Sequence, residues 1–85
     1  MAHSAKYKTS ARKELDALPG NVQVRISAAV DDLEDNPRPP GCIKLKGRDE
    51  YRIRVGDYRV IYEIHDTVLI VLVVKVAHRG NKVYR

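Results

Sequence analysis

Between Tyr51 and Tyr62 apolar and charged side chains alternate with a period of two, interrupted once by Gly56-Asp57. A period of two excludes a helix and specifies a strand with one buried face. A two-residue loop that begins with glycine fits a type II′ hairpin. Its register pairs Val55 with Tyr58, sets Arg54 opposite Arg59, and carries Arg52 two residues along the same face. The opposite face (Tyr51, Ile53, Val55, Tyr58, Val60, Tyr62) is apolar and needs a partner to cover it.

That partner lies upstream. Ala5 and Tyr7 predict a short opening strand. Thr9 or Ser10 offers an N-cap, with Ala11, Leu15 and Leu18 at helical spacing behind it. Pro19-Gly20 closes this first helix, and Asn21 can cap a second. There Val22, Ile26, Ala29 and Leu33, with Val30 beside them, form one apolar stripe. Asp31, Asp32, Glu34 and Asp35 crowd the C-terminal end, the unfavourable end for the helix dipole, either as a solvated face or in contact with the basic half. Asn36-Pro37 stops the helix, because the residue before proline avoids the α region. A stiff linker, Pro37 to Gly41, leads to the strands. After the hairpin, Asp66-Thr67 is a second turn. Val68 to Val76 is apolar on both faces, which predicts a central strand covered on both sides. The expectation is one domain, residues 1–85, of class α+β: an N-terminal helical hairpin packed on a small twisted antiparallel sheet, ordered β-α-α-β-β-β.

Charge is unevenly distributed along this layout. The formal charge is +5. Residues 1–43 balance six basic against six acidic side chains, whereas residues 44–85 hold ten basic and five acidic. A localised excess of this kind is an electrostatic footprint for phosphate, acidic protein or anionic lipid. The single Cys42 excludes an intrachain disulfide and has no zinc-ligand spacing around it, so it reads as a small hydrophobe in a reducing cytoplasm. The N-terminus lacks the apolar core of a signal peptide, and the stretch from Val68 to Val74 is too short to span a bilayer. A cytoplasmic protein without membrane contact is expected.

Like charges directly across an antiparallel pair are destabilising by up to about 1 kcal/mol. Arg54 against Arg59 therefore calls for a reason. Either the side chains reach outward to solvent, Glu63 and Asp57, or they form an anion cradle in which guanidinium forks grip phosphate oxygens. Lys44, Lys46, Arg48, Arg52 and Arg85 extend the cationic set along a polyanion. Arg79, after the last strand, either joins the cradle from a strand end beside this face or is an ordinary exposed arginine. Histidine as a residue type exchanges a proton near neutrality, and Tyr84 carries a hydroxyl and a stacking ring, so His78 and Tyr84 are candidates for proton transfer, or else a half-exposed histidine and a lid over an apolar edge. Arg54, Arg59, His78, Arg79 and Tyr84 are thus the candidate catalytic set. Neither a nucleotide-binding glycine loop, nor paired catalytic carboxylates, nor a Ser/His/Asp arrangement is visible, and the basic half offers no metal-ligand cluster. No cofactor is expected. What fits is phosphoryl chemistry on RNA without metal, in which a 2′-OH attacks its adjacent phosphate.

The segments Lys44 to Gly47, Tyr51 to Arg54, Gly56 to Arg59, Ile61-Tyr62 and Val76 to Arg79, followed by Val83-Tyr84, resemble the RelE/ParE toxin superfamily of toxin–antitoxin systems on its RelE side. Lys13 to Leu15, Leu18-Pro19 and Leu33 to Pro37 extend the resemblance over nearly the whole chain. It implies an α+β fold with a helical hairpin against an antiparallel sheet, and an endoribonuclease that cuts mRNA in the ribosomal A site without metal. It also implies a cognate antitoxin as partner, beside ribosome and mRNA; a further reading, compatible with this one, is a corepressor that reaches operator DNA only through the antitoxin. By position, Arg52 and Arg54 fall where the pattern has basic residues, often lysines. Arg59 and Arg79 match its phosphate-binding arginines, and Tyr84 its near-terminal tyrosine. Arginine is a poor general base, so Arg52 and Arg54 supply charge and His78 or Tyr84 would move the proton. The alternative within the superfamily is a ParE-like toxin that inhibits DNA gyrase without cutting RNA.

Overall fold

A computed structural model describes residues 2–45, 47 and 49–78. The chain runs β1 (Ser4–Tyr7), α1 (Thr9–Asp16), α2 (Gly20–Asp35), β2 (Ile43–Lys44), β3 (Glu50–Val55), β4 (Tyr58–His65) and β5 (Ile70–His78). The strands form one sheet in the order β1-β5-β4-β3-β2. The α+β layout and the helical hairpin are as expected. The sheet differs in two respects: a two-residue strand, β2, precedes the hairpin, and β1 runs parallel to β5, which makes the sheet mixed.

The hairpin has the expected register, with Val55 opposite Tyr58 and Arg54 opposite Arg59. Gly56 adopts φ 59° and Asp57 does not share the positive φ, as a glycine-first loop requires. The apolar faces of β3 and β4 meet Val71, Val73 and Val76 of β5, and on them pack Ala11 and Leu15 of α1 and Ile26, Val30 and Leu33 of α2. Tyr62, wholly buried, is the largest side chain of this core. Its hydroxyl donates to the Pro37 carbonyl at 2.7 Å, fastening the linker to the sheet. Burial, and then the neighbouring Cys42 thiol, raise the pKa of this phenol well above its ordinary value.

β5 lies between β1 and β4, as a central strand should, but the helices cover only one of its faces, so the expectation of double cover is corrected. Val71, Val73 and Val76 are buried, while Ile70, Leu72 and Val74 on the other side are half-buried. The strand also carries an irregularity: Tyr62 pairs with Val73 and Ile61 with Lys75, leaving Val74 as an extra residue. This bulge shifts the alternation, so that Val73 and Val76, three apart, both enter the core and Lys75 turns outward. Val68, expected in the strand, instead lies exposed in the preceding turn.

The helix ends also differ from expectation. Lys8 takes the N-cap position of α1 because its amide is still bonded to the Val73 carbonyl, so the chain leaves the sheet there and Thr9 is already helical. Pro19, not Asn21, precedes α2. The Gln23 amide donates to the Leu18 and Asp16 carbonyls at 2.8 and 3.1 Å, closing the turn between the helices. Of the acidic residues on α2, Asp31, Asp32 and Asp35 are exposed, whereas Glu34 accepts a hydrogen bond from the Ala5 amide at 2.7 Å and blocks the outer edge of β1. At the far end of the sheet Asp66 accepts from Arg38 at 3.1 Å and lies 3.0 Å from the His3 ring, tying linker, N-terminus and the β4–β5 turn together. Among the described residues no helix is long and apolar enough to cross a membrane.

Candidate nucleic-acid interface

The uncovered face of the sheet is set by the register. One row across it reads Ile43, Arg52, Ile61 and Lys75, and the next Arg54, Arg59 and Ala77. Residues facing each other in such rows have Cβ atoms about 4.5–5.5 Å apart. Arg52, Arg54 and Arg59, the heart of the expected cradle, therefore share one side of the sheet beside the hairpin turn. Arg52 is the most constrained. Its stem lies between Ile43 and Ile61, and its Nε is buried with no hydrogen-bond partner among the described residues. A buried donor left without a partner is unfavourable by about 1–3 kcal/mol. Beside it opens a cavity of about 250 Å³ lined by Pro40, Gly41, Ile43, Arg52, Ile53 and Arg54. The linker held by Tyr62 thus forms one wall of the space in which the cationic groups stand.

The hairpin tip receives a further cation. The Arg25 guanidinium of α2 lies against Gly56, so closely that a Cβ on that glycine would sit 2.9 Å from Nη2. The sequence contains no signal for this approach, since Arg25 reads as an ordinary exposed helix position. Lys75 was equally hidden, because only the bulge at Val74 turns it to the arginine face.

Two other expected residues are placed elsewhere. His78 pairs with Tyr58, whose ring belongs to the helix-covered side, and the two rings meet edge to face at 4.9 Å. His78 thus stands, exposed, on the opposite face from Arg54 and Arg59, because it is one residue beyond Ala77 and side chains alternate. Lys44 pairs with Tyr51 and also faces away from the arginines. With Arg38, Asp49, Tyr51, Glu63, Ile64 and His65 it lines a cavity of about 460 Å³ of mixed charge near the β4–β5 turn. There Arg38 lies over the Tyr51 ring at 5.4 Å, which in turn stacks on Tyr62. Lys46, Arg48, Arg79, Tyr84 and Arg85 lie outside the described residues.

Residues 5–83 match the family described as ParE toxin of type II toxin–antitoxin system, parDE. A RelE-like toxin protein of Escherichia coli is 33% identical over 82 residues, covering 93% of this chain and 85% of its own. Toxin RelG of Mycobacterium tuberculosis is 29% identical, covering 100% of this chain and 99% of its own. Among solved structures, a chain of the archaeal RelE–RelB complex from Pyrococcus horikoshii superposes with a TM-score of 0.84 at 34% identity, over 95% of this chain and 99% of that one. The isolated Escherichia coli RelE toxin superposes with a TM-score of 0.83 at 26% identity, over 98% and 92%. The chain belongs to the RelE/ParE toxin superfamily, on its RelE-like branch, and is a toxin of the type II toxin–antitoxin class.

Proposed function

We propose that this toxin is an endoribonuclease that cuts mRNA on the ribosome, without metal, and so arrests translation. The observation that carries this reading is the juxtaposition of Arg54 and Arg59 across one strand pair, with the buried, unsatisfied Nε of Arg52 beside them. Such crowding opposes folding and favours a bound polyanion. The ribose 2′-oxygen attacks the adjacent phosphorus and the P–O5′ bond breaks, giving a 2′,3′-cyclic phosphate and a free 5′-hydroxyl. A proton leaves the 2′-OH and a proton is delivered to the 5′-oxygen. Arg54 and Arg59 donate to the phosphate oxygens on which charge accumulates; loss of one such donor reduces the rate by about 10²–10³-fold. Arg52 holds a neighbouring phosphate against the linker wall. Arg79 is assigned to the phosphate and Tyr84 to proton transfer on their sequence positions. His78, on the other face, is the weaker candidate for that proton.

A cognate antitoxin is the natural partner, since the relatives of known structure include RelE–RelB complexes. An acidic or amphipathic segment that covers the arginine face would neutralise the toxin. The test is an in-vitro translation reaction with purified protein, followed by mapping of mRNA ends. Ribosome-dependent cleavage that ends in cyclic phosphates and is abolished by Arg59→Ala supports the reading. Intact mRNA together with cleaved, gyrase-bound DNA overturns it in favour of the alternative, a ParE-like toxin that inhibits DNA gyrase.

A further inference from the structure

We infer that Lys75 is an additional phosphate-binding residue of this face, held ready by Glu14. The inference rests on the RNA reading of the arginine face. Lys75 faces Ile61 directly, and lies diagonal to Arg59, which pairs with Ala77 two residues on. Diagonal neighbours on adjacent strands are about 7–8 Å apart, within reach of long side chains. Lys75 therefore continues the cationic track from Arg52, Arg54 and Arg59 across β4 to the strand beyond. It is half exposed, in a strand otherwise built of valine, isoleucine, leucine and alanine up to His78. Its aim is set by an unusual neighbour. β1 ends at Tyr7, so among the described residues no strand lies beside β5 at Val76, and Glu14 of α1 fills that place: its Oε1 accepts from the Val76 amide at 2.8 Å. The same carboxylate's Oε2 lies 3.5 Å from Lys75 Nζ. One oxygen is fixed by the backbone and the other by the ammonium, so the cation is parked at the rim of the face. The contact is long and exposed, and a phosphate competes with it readily. An RNA strand lying across the arginines then exchanges a weak protein carboxylate for a phosphate at Lys75.

Single-stranded RNA with 2′-O-methyl riboses, which cannot attack its own phosphates, serves as the probe. Its affinity is measured by fluorescence anisotropy between 50 and 200 mM salt, roughly the range over which counterion release dominates. One phosphate contact to a single strand contributes about 0.7 to the slope of log K against log salt, equivalent to about fivefold in affinity at 0.1 M. Lys75→Gln is expected to lose that much, and Lys75→Arg to retain it. Glu14→Gln, which keeps an acceptor for the Val76 amide, is expected to bind the RNA more tightly, and to lose most of that gain when combined with Lys75→Gln. An unchanged slope in Lys75→Gln, with the wild type binding RNA, overturns the role of Lys75 and leaves the arginine site standing. A gain from Glu14→Gln that is equal in both backgrounds overturns the parking of Lys75. Should the wild type fail to bind the probe, cleavage by the two proteins in the translation reaction decides. Cleavage by Lys75→Gln equal to that of wild type overturns the inference alone, and no cleavage by wild type overturns the RNA site with it.

Discussion

Tyr62→Phe removes one oxygen atom from the centre of the molecule and leaves the rest of the side chain in place. The ring is fully buried, so its apolar packing and its stacking on Tyr51 survive the change. What is lost is the 2.7 Å hydrogen bond to the Pro37 carbonyl, leaving a partly buried acceptor without its donor. Such a loss destabilises by about 1–2 kcal/mol, which in a domain of this size lowers the melting midpoint by about 4–16 °C. The linkage to pH provides an internal control. The folded-state pKa of the phenol is raised above its ordinary 10.0, so the folded state holds this proton more tightly. Its contribution is therefore complete below about pH 10 and is lost as the pH rises through the folded-state value. The stability gap between wild type and Tyr62→Phe should accordingly narrow in alkali. Urea unfolding at pH 7 and above pH 10 measures both effects, and the urea slope should stay constant if only stability changes. Because the freed linker walls the cavity beside Arg52, mRNA cleavage should fall as well, although Tyr62 points to the other side of the sheet. A variant as stable as wild type at pH 7 would refute the view that this bond anchors the linker.

Arg54→Ala and Arg59→Ala should each reduce mRNA cleavage about 10²–10³-fold while the proteins remain folded, as read by end mapping alongside circular dichroism. Tyr84→Phe should impair cleavage far more than His78→Gln, and the reverse order in single-turnover rates would return the proton to the histidine. Gly56→Ala forces a side chain into φ 59° and against the Arg25 guanidinium, and should destabilise by about 1–2 kcal/mol in urea unfolding. Arg38, and then His3, hold the Asp66 carboxyl below its ordinary 3.8, so its contribution is present above that value and is lost as pH falls through the depressed one. Wild type should therefore lose stability more steeply in acid than Asp66→Asn, measured by thermal melts from pH 5 downward.

What the sequence made legible depended on how local its cause was. The hairpin register at Gly56-Asp57 follows from two residues and a strict alternation, and with it came the shared face of Arg52, Arg54 and Arg59. The stripe of Ile26, Val30 and Leu33 was equally plain, since a helix displays its own period. The errors lie where one element decides for another. Lys8 rather than Thr9 caps α1 because Val73, sixty-five positions away, still holds its amide. The valine-rich run of β5 suggested burial on both sides because composition cannot reveal that a chain this short has helices for only one face of its sheet. His78 was grouped with the arginines by nearness in sequence, yet a single step of strand alternation removes it to the other side. The bulge at Val74 works in the opposite direction and brings Lys75 to the arginines. An uninterrupted strand that kept Val73 in the core would have buried Lys75 beneath the helices, where an unpaired ammonium is strongly unfavourable. Deleting Val74 removes the extra residue and restores strict alternation, so Lys75 should stay outward and Val76 in the core: the extra residue is what lets a strand carrying both Val74 and Lys75 keep the charge on the arginine face.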